Sequence, residues 1–458
     1  MIENDAFKLL LINLFHLNPD DIANIFCTTF NKMMVLIVTL ADKHQACPYC
    51  GFTAPKIKEY VTKEITHSAL TTQKCIIKYR ARRYKCPCCG KTYYEFNPFV
   101  FKSQKISILT VHNILKDLKD FNETFTSVAR RYHVSPTSVS TIFDNHVDIG
   151  RNPLPEIINF DEVYAFKSEK SKYVCVILDF KKQIPVDVLP NRKKEYLLNY
   201  FQKIPLEERK KVKYACSDMY EVYRDVVHKV FPCSCMLLDY FHLSQDFHRK
   251  MNEVRIKVMK GYKDDKASDE YYLLKKFNWL LFKNPEDEDK YGRLFDVERE
   301  RKYNSHFKSY MNYYDLRRKL LEINNNLTIC YSLKLELVDF YSKSTIDNAQ
   351  VNLEHLIRNC IDTNIEEMIA FSNNLINWKQ EIINSFTIVG TEYKVEADKG
   401  QVVVCNKKVN NAIIENRNKI IKCIKNNANG YTNWSRFRNR VMYVLDPNTT
   451  FSLEPREK

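Results

Sequence analysis

Four cysteines in two matching pairs carry the strongest chemical signal in the sequence. Cys47 and Cys50 lie in Cys-Pro-Tyr-Cys-Gly, and Cys86 and Cys89 lie in Cys-Pro-Cys-Cys-Gly. Thiolates from two such pairs form the usual tetrahedral ligand set of one structural Zn²⁺ ion. The glycine after each pair can adopt the positive φ that points backbone N–H groups at sulfur. The spacing, with β-prone sequence between the pairs, therefore predicts a zinc ribbon over residues 45–95.

The other cysteines are interpreted without a metal. Cys88 is an alternative to Cys89 as the fourth ligand, although two intervening residues are the standard geometry and favour Cys89. The total of 15 cysteines is odd and the sequence shows no secretory signal, so we expect a reducing cytoplasm. Seven cysteines in apolar contexts are predicted to be core residues: Cys27, Cys75, Cys175, Cys216, Cys330, Cys360 and Cys423.

Two aspartates follow strand-like apolar runs in the middle of the chain. Asp161 comes after Ile157 to Phe160, and Asp218 comes after Val212 to Ser217. Carboxylates at the ends of neighbouring strands can converge on Mg²⁺, and two such ions about 4 Å apart can activate a nucleophile and stabilise a leaving oxygen in phosphoryl transfer. The alternative is that each aspartate is a turn residue or helix N-cap, which is common at strand ends.

Residues 105–147 have helical periodicity and contain a possible DNA-recognition unit. A first helix ends at Arg130 and Arg131, and a tight turn follows. Ser135 is then a suitable N-cap and Pro136 a suitable first residue for a second helix, which predicts a helix-turn-helix. An ordinary helical hairpin is the alternative, and the basic ribbon upstream favours DNA binding. The side chains predicted to reach bases or phosphates are Arg130, Arg131, Thr137, Ser138 and Ser140.

Positive charge is concentrated in two stretches of this basic chain. The net charge of the 458 residues is +15; residues 43–143 contribute 17 basic and 6 acidic residues, and residues 401–442 contribute nine basic residues and one acid, Glu415. Such clustering predicts a polyanionic partner, nucleic acid first. No apolar run is long enough to cross a bilayer, which excludes a membrane protein. The C-terminal side chains predicted to contact phosphates are Arg417, Lys419, Lys422, Lys425, Arg436, Arg438 and Arg440.

Periodicity after Pro155 predicts a mixed α/β sheet followed by helices. Strand-length runs rich in β-branched residues are interspersed with helical stretches at 193–203 and 221–230, and residues 243–394 are mostly amphipathic helix. Trp378 and Trp434 could stack on a base, but core packing is the preferred interpretation. The five predicted strands are Ile157 to Asp161, Tyr173 to Phe180, Ile184 to Leu189, Val212 to Ser217 and Cys235 to Asp239.

An ordered set of short motifs runs through the same region. In chain order they are Asp161-Glu162-Val163, Lys172-Tyr173 with Asp179, Asn191-Arg192, Ser217-Asp218-Met219-Tyr220 with Tyr223, Leu238-Asp239-Tyr240-Phe241-His242-Leu243, and Ile414-Glu415-Asn416-Arg417-Asn418-Lys419. With the zinc ribbon and the helix-turn-helix, this set resembles the ISL3 family of bacterial insertion-sequence transposases over about residues 45–443.

The resemblance implies an RNase H-like core with a DDE triad, which motif matching assigns to Asp161, Asp218 and Glu415. These carboxylates would hold two Mg²⁺ or Mn²⁺ ions. Glu415 is also the only acid in the basic C-terminal stretch and lies on a predicted helix. Asp239 and His242 would support the metal ligands or touch substrate, with Asp239 as a simple helix N-cap the alternative. Should Glu415 be the wrong third acid, the nearest upstream candidates are Glu381 and Glu396.

The predicted fold class is multidomain α/β, with the RNase H-like core interrupted by an all-helical insertion because 197 residues separate Asp218 from Glu415. The implied function is recognition of terminal inverted repeats followed by Mg²⁺-dependent cleavage and strand transfer into target DNA, by a homodimer in the bacterial cytoplasm, associated with the nucleoid. The alternative is a non-catalytic DNA-binding protein, either a repressor or a degenerate transposase. The expected divisions are an extension (1–44), the ribbon (45–95), the helix-turn-helix (105–147), the core (155–244 and 401–443), the insertion (245–400) and a tail (444–458).

Overall fold

The structure, a computed structural model, describes residues 2–43, 45–101, 104–166, 171–395 and 402–456. These residues form an N-terminal sheet, a three-helix unit, a central sheet and a long, mainly helical segment. Among them, no helix is both long enough and apolar enough to cross a lipid bilayer.

The N-terminal sheet joins residues on both sides of the first cysteine pair. Its order is β1-β2-β4-β3, with β5 paired to β4, and β2 runs parallel to β4 with Met34 opposite Cys75. Alternate side chains of β4 face the core, as expected for a strand with one buried face. Residues 1–44, expected as an extension of their own, therefore share a sheet with the ribbon. The elements are α1 (Ile2–Leu14), a 3₁₀ turn (Pro19–Asp21), β1 (Ile22–Phe30), β2 (Met33–Leu40), β3 (Lys56–Thr66), β4 (Cys75–Lys85) and β5 (Thr92–Tyr94).

The three-helix unit has a small apolar core of its own, which includes Val128 and Val139. Its last helix begins as predicted, with Pro136 in the first turn and the Ser135 hydroxyl accepting the Ser138 N–H at 3.0 Å. His133 takes a φ of +53° in the preceding turn. The helices are α2 (Ile108–Asp117), α3 (Phe125–Arg131) and α4 (Pro136–His146).

The central sheet contains all five predicted strands, in the order β10-β9-β6-β7-β8. β6, β9 and β10 are parallel, whereas β7 is antiparallel to both β6 and β8. One face is covered by α5 and α7, and the other by α15 and α16. The elements are β6 (Ile157–Val163), β7 (Val174–Asp179), β8 (Pro185–Leu189), α5 (Lys194–Gln202), α6 (Leu206–Arg209), β9 (Tyr214–Ser217), α7 (Glu221–Val230), β10 (Cys235–Leu238), α15 (Ala412–Asn427) and α16 (Trp434–Leu445).

The segment between β10 and α15 is not all-helical, so that part of the prediction is wrong. Gly292 turns one hairpin with a φ of +96°, a conformation that a continuing helix cannot accommodate. A second hairpin follows, and a third ends the segment. The elements are α8 (Tyr240–Lys260), α9 (Asp269–Lys276), a 3₁₀ helix (Asn278–Phe282), β11 (Glu288–Asp289), β12 (Gly292–Arg293), β13 (Lys302–Asn304), β14 (Ser309–Met311), α10 (Tyr313–Glu322), α11 (Asn325–Lys343), α12 (Ala349–Asp362), α13 (Glu366–Asn377), α14 (Lys379–Asn384), β15 (Ile388–Val395) and β16 (Val402–Lys408).

α16 and the residues after it pack on the three-helix unit. Tyr443 lies in the core of that unit, and its hydroxyl donates to the Leu115 carbonyl at 2.9 Å. Beyond α16, an imidazole nitrogen of His146 lies 2.7 Å from the Ser452 carbonyl, and Arg456 donates to the Val147 carbonyl at 2.9 Å. The unit near residue 130 is thereby joined to the central sheet through residues around 445.

Candidate active site and metal centre

Three aspartates lie in one row across the parallel strands of the central sheet. Ile157 of β6 pairs with Tyr214 of β9, which pairs with Cys235 of β10. Parallel strands keep a constant register, with neighbouring strands about 4.8 Å apart. Counting four residues on from these partners gives Asp161, near the end of β6, and Asp218 and Asp239, the first residues after β9 and β10.

A helix start brings Glu415 to the same edge. The Asn411 N–H, just before α15, donates to Asp239 Oδ1 at 3.0 Å. The Asn159 amide, on β6, donates to Asn411 Oδ1 at 2.7 Å. These bonds fix the first turn of α15, which contains Glu415. Ligand atoms of Asp239, His242 and Glu415 consequently lie within 4.8 Å of one another, which closes the long gap in sequence.

Asp161 and Asp218, the other two predicted ligands, are half-buried near this group, but their carboxylate oxygens are not among the atoms that lie within 4.8 Å of one another. Burial raises the pKa of Asp161 to about 7, and the negative charges of Asp218 and Glu415 add to the rise. Burial also raises the pKa of Asp218, against the opposing charge of His242. Asp218 Oδ1 is buried with no hydrogen-bond partner among the described residues. An unpartnered buried carboxylate oxygen beside other carboxylates fits a cation ligand, because hard oxygen donors suit Mg²⁺.

Asp239 and His242 lie in the cluster itself rather than behind it. Asp239 stands at the N-cap position of α8, but its side chain makes no capping bond to that helix. Its second oxygen is 2.9 Å from His242 Nδ1. Burial lowers the pKa of His242, but the hydrogen bond and the charges of Asp239, Asp218 and Asp161 outweigh it, so the pKa is raised overall. When protonated, His242 therefore places a positive charge among the carboxylates.

Two polar neighbours of the acidic side chains are not among the predicted site residues. The Asn418 amide donates to Asp161 Oδ2 at 2.7 Å, three residues after Glu415 on the same helix. Arg192 follows β8, whose carboxyl end lies at the same sheet edge because β8 and β6 are both antiparallel to β7. It forms an ion pair with Glu162. The i, i+3 spacing from Glu415 and the strand-end position of Asn191-Arg192 were the available signals.

The alternative third acids are not in the cluster. Glu381 is buried in α14 and is not among the grouped ligand atoms of the described residues. Glu396 lies outside the described residues. The structure therefore gives no support to replacing Glu415.

The four predicted zinc ligands form a second cluster. All four Sγ atoms lie within 4.8 Å of one another, with Cys47 and Cys89 3.7 Å apart and Cys50 and Cys86 3.5 Å apart. Gly51 and Gly90 have φ values of +74° and +71°, as expected for the residue after each pair. Backbone N–H groups lower the pKa of Cys86 to about 7. Against the Phe52 backbone N–H, burial and the neighbouring thiols raise the pKa of Cys50 to about 12, so the four thiols share few negative charges without a metal. Such a set could hold Zn²⁺.

The remaining cysteines divide into buried and exposed groups. Cys88 is exposed and is not part of the cluster, so Cys89 completes the set. Two predicted core cysteines, Cys27 and Cys423, are exposed instead. Cys27 points away from the core on the edge strand β1, and Cys423 lies on the outer side of α15. The other five predicted core cysteines are buried: Cys75, Cys175, Cys216, Cys330 and Cys360.

The side chains of the three-helix unit that are predicted to contact DNA differ in their exposure to solvent. Arg130 and Thr137 are exposed, and Ser138 is half-buried. Ser140 is buried and donates to the Thr137 carbonyl, so it does not face a groove. Arg131 forms ion pairs within the chain, with Asp117 and Glu123.

The predicted phosphate-binding side chains near the C-terminus have different surroundings on α15 and on α16. On α15, Lys419 and Lys422 are exposed and Arg417 is half-buried, its Nε donating to the Gln183 carbonyl at 3.1 Å. Lys425, also on α15, lies over the Tyr164 ring. On α16 the three predicted phosphate contacts already have carboxylate or backbone carbonyl partners within the chain. Arg436 pairs with Asp144, Arg438 pairs with Asp187, and Arg440 is 1% exposed and donates to the carbonyls of Asp120 and Glu123.

Both tryptophans that were weighed as base-stacking residues pack within the protein. Trp378 is buried in the large helical core. Trp434 packs edge-on against Phe166, with ring centroids 5.1 Å apart. Core packing was the preferred interpretation for each, and the structure confirms it.

Comparison with known proteins identifies the class that this fold and carboxylate site define. A family model described as transposase matches residues 158–397, just over half of the chain. The chain belongs to the ISL3 family of transposases, as the motifs predicted. It is 20% identical over 409 residues to the transposase for insertion sequence element IS1001 of Bordetella parapertussis, covering 89% of this chain and 90% of that relative. The family match contains Asp161, Asp218, Asp239 and His242 and ends before Glu415.

Proposed function

We propose that the chain is a DDE transposase that binds the terminal inverted repeats of an insertion sequence, cleaves DNA strands and joins the freed 3′ ends to target DNA. The observation that carries this proposal is the row of Asp161, Asp218 and Asp239 at one sheet edge with Glu415 docked beside it. The strand order, three antiparallel neighbours followed by two parallel ones, supports an RNase H-like core. Residues 155–244 and 401–443 would form that core, with 245–400 inserted.

The carboxylates of Asp161, Asp218 and Glu415 would hold two Mg²⁺ or Mn²⁺ ions. When bound, such ions activate a nucleophile and stabilise the leaving oxygen in an in-line displacement at phosphorus. Asn418 would orient Asp161, since its amide donates to one carboxylate oxygen and leaves the other oxygen to bind a metal ion. Asp239 does the same for Glu415, because it holds the backbone at the start of α15.

His242 has an electrostatic part in this proposal. Its positive charge lowers the pKa of both Asp161 and Asp218, although burial still keeps each pKa above its ordinary value. An imidazolium among closely spaced carboxylates reduces their mutual repulsion. The site can therefore keep its acidic side chains together before DNA and cations bind.

DNA recognition would fall to residues 45–147. A zinc ribbon built on the four-cysteine cluster would stabilise the basic sheet, and α3 and α4 would act as a helix-turn-helix. Arg130 and Thr137 are the exposed side chains best placed to reach DNA. A homodimer would bring two element ends together in the synaptic complex.

The proposal is tested with purified protein and a DNA fragment that carries the ends flanking the gene. We expect Mg²⁺-dependent nicking at the end and joining to a target plasmid, both lost in Asp218→Asn, with end binding kept because removing a carboxylate charge does not weaken phosphate contacts. Tight end binding by wild-type protein with no cleavage in Mg²⁺ or Mn²⁺ would instead favour the non-catalytic DNA-binding protein.

A further inference from the structure

Three tyrosine rings and two cations form a chain of contacts that begins next to Asp218. The Arg192 guanidinium lies between two rings, 4.7 Å from the centroid of Tyr220 and 4.5 Å from that of Tyr173. The Tyr173 ring meets the Tyr164 ring edge-on at 5.7 Å, and the Lys425 ammonium lies 4.7 Å from the Tyr164 centroid. We call these five residues the tyrosine ladder.

The ladder begins and ends at elements that carry the acidic side chains. Tyr220 comes two residues after Asp218, and Tyr164 directly follows β6, the strand that contains Asp161. Lys425 lies on α15, the helix that contains Glu415. A DNA strand bound along the ladder would therefore reach the carboxylate site at its Tyr220 end, two residues from Asp218.

Two rings of the ladder are accessible in the middle of this path. Tyr164 is 49% exposed and Tyr173 is 39% exposed, far more than a tyrosine that serves only the core. In the described structure, Phe160 and Tyr223 supply the buried aromatic packing beneath the same sheet edge. The exposed rings are thus free to contact a ligand.

The chemistry of the ladder matches single-stranded nucleic acid. Bases stack on aromatic side chains in a way that tolerates any sequence, and a nearby cation such as Lys425 can follow the phosphates. Arg192 is paired with Glu162 and stacks between the Tyr173 and Tyr220 rings, so its part is to position them. Paired bases inside a duplex cannot offer their faces to such rings. We propose that the tyrosine ladder binds the unpaired nucleotides of a DNA end next to the phosphate that is cut or joined, an inference that rests on the proposed function.

The test uses full-length protein and two matched DNA ends, one fully paired and one with a short unpaired tail that carries 2-aminopurine. Fluorescence anisotropy gives the affinity for each end, and 2-aminopurine fluorescence reports stacking. We expect wild-type protein to prefer the tailed end and to quench the probe. The Tyr164→Ala/Tyr173→Ala variant should lose about 5- to 150-fold in affinity for each base that stacks, on the tailed end alone.

The matched control is Tyr164→Phe/Tyr173→Phe, which keeps both rings and should keep the preference for the tail. Exchanging adenine for thymine in the tail should change little. Equal affinity of wild-type protein for both ends, or an alanine variant that still prefers the tail and quenches the probe, would overturn the proposal. Cleavage is measured separately: a tail preference that depends on the rings in a protein that never cuts DNA would leave the ladder standing and refute the catalytic proposal.

Discussion

The cysteine cluster and the carboxylate site are both candidate metal sites, but they differ in how far apart their ligands lie in the sequence. Each cysteine pair comes from one tight turn that ends at a positive-φ glycine, and the pairs are 36 to 42 residues apart. The acidic groups come from three strands and a helix between residues 161 and 415. A site made of turns can be recognised from local spacing. A site made of strand ends requires the register of a sheet.

The two sites also differ in what surrounds them. Around the cysteines, the buried residues are few and include Tyr84 and Tyr93, so a metal would replace a hydrophobic core there. The carboxylates stand on a sheet with extensive apolar packing on both faces. Loss of a ligand should therefore unfold the two cysteine turns, while the carboxylate site stays folded and becomes inactive.

The largest effect is expected at the carboxylates. Asp161→Asn should reduce strand cleavage and joining at least about 1,000-fold, because metal ions at such sites supply several kcal/mol of charge stabilisation. Thermal unfolding should change little. A strand-transfer assay with Mg²⁺ measures the rate, and Glu195→Gln, a similar change on the exposed side of α5, should retain wild-type activity. Full activity of the Asp161→Asn variant would show that Asp161 is not a catalytic metal ligand.

The cysteine cluster should show the opposite response. Cys86→Ser should release about one Zn²⁺ per chain and expose the two cysteine turns to protease, while residues of the central sheet stay protected. Elemental analysis and limited proteolysis measure these effects. The Cys88→Ser control should keep its metal, since Cys88 is exposed and is not part of the cluster. Equal metal loss from both variants would contradict the assignment of Cys89.

A smaller effect is expected from Asn418, which touches Asp161 without an acidic group of its own. Asn418→Ala should lower activity about 10- to 100-fold, the usual cost of losing a residue that orients a ligand. The Mg²⁺ concentration for half-maximal rate should rise as well. Asn416→Ala, an exposed change on the same helix, is the control. An Asn418→Ala enzyme with an unchanged Mg²⁺ requirement would indicate that the amide only stabilises the fold.

The smallest effect concerns the basic helices. Replacing both exposed lysines, Lys419→Ala/Lys422→Ala, should weaken DNA binding and reduce the slope of log K against log salt by about 0.9 for each phosphate that the variant no longer neutralises. Arg436→Ala should leave that slope unchanged, because Arg436 already pairs with Asp144. Titrations at several salt concentrations give the slopes. A clear change of slope in Arg436→Ala would show that its ion pair opens when DNA binds.

Much of this organisation could be predicted from the sequence, and the side chains whose partners were missed share a cause. β-branched runs predicted every strand of the central sheet, since a buried strand must be apolar whichever partner it has. The role of Asn418 and the pairing of Arg436 depend on partners 257 and 292 residues away. A charge pattern predicts that a side chain is polar. It cannot say whether solvent, a phosphate or a distant carboxylate faces it.

The contact between the three-helix unit and α16 has a consequence for synthesis of the protein. Residues 108–146 leave the ribosome early, but Tyr443, which completes their core, follows roughly 300 residues later. At about 5 to 20 residues per second, that delay is roughly 15 to 60 seconds. During this interval the unit lacks part of its apolar packing, so a nascent or prematurely stopped chain would hold the proposed DNA-reading helices in an unfinished state. Stable end recognition would then be a property of chains translated through α16.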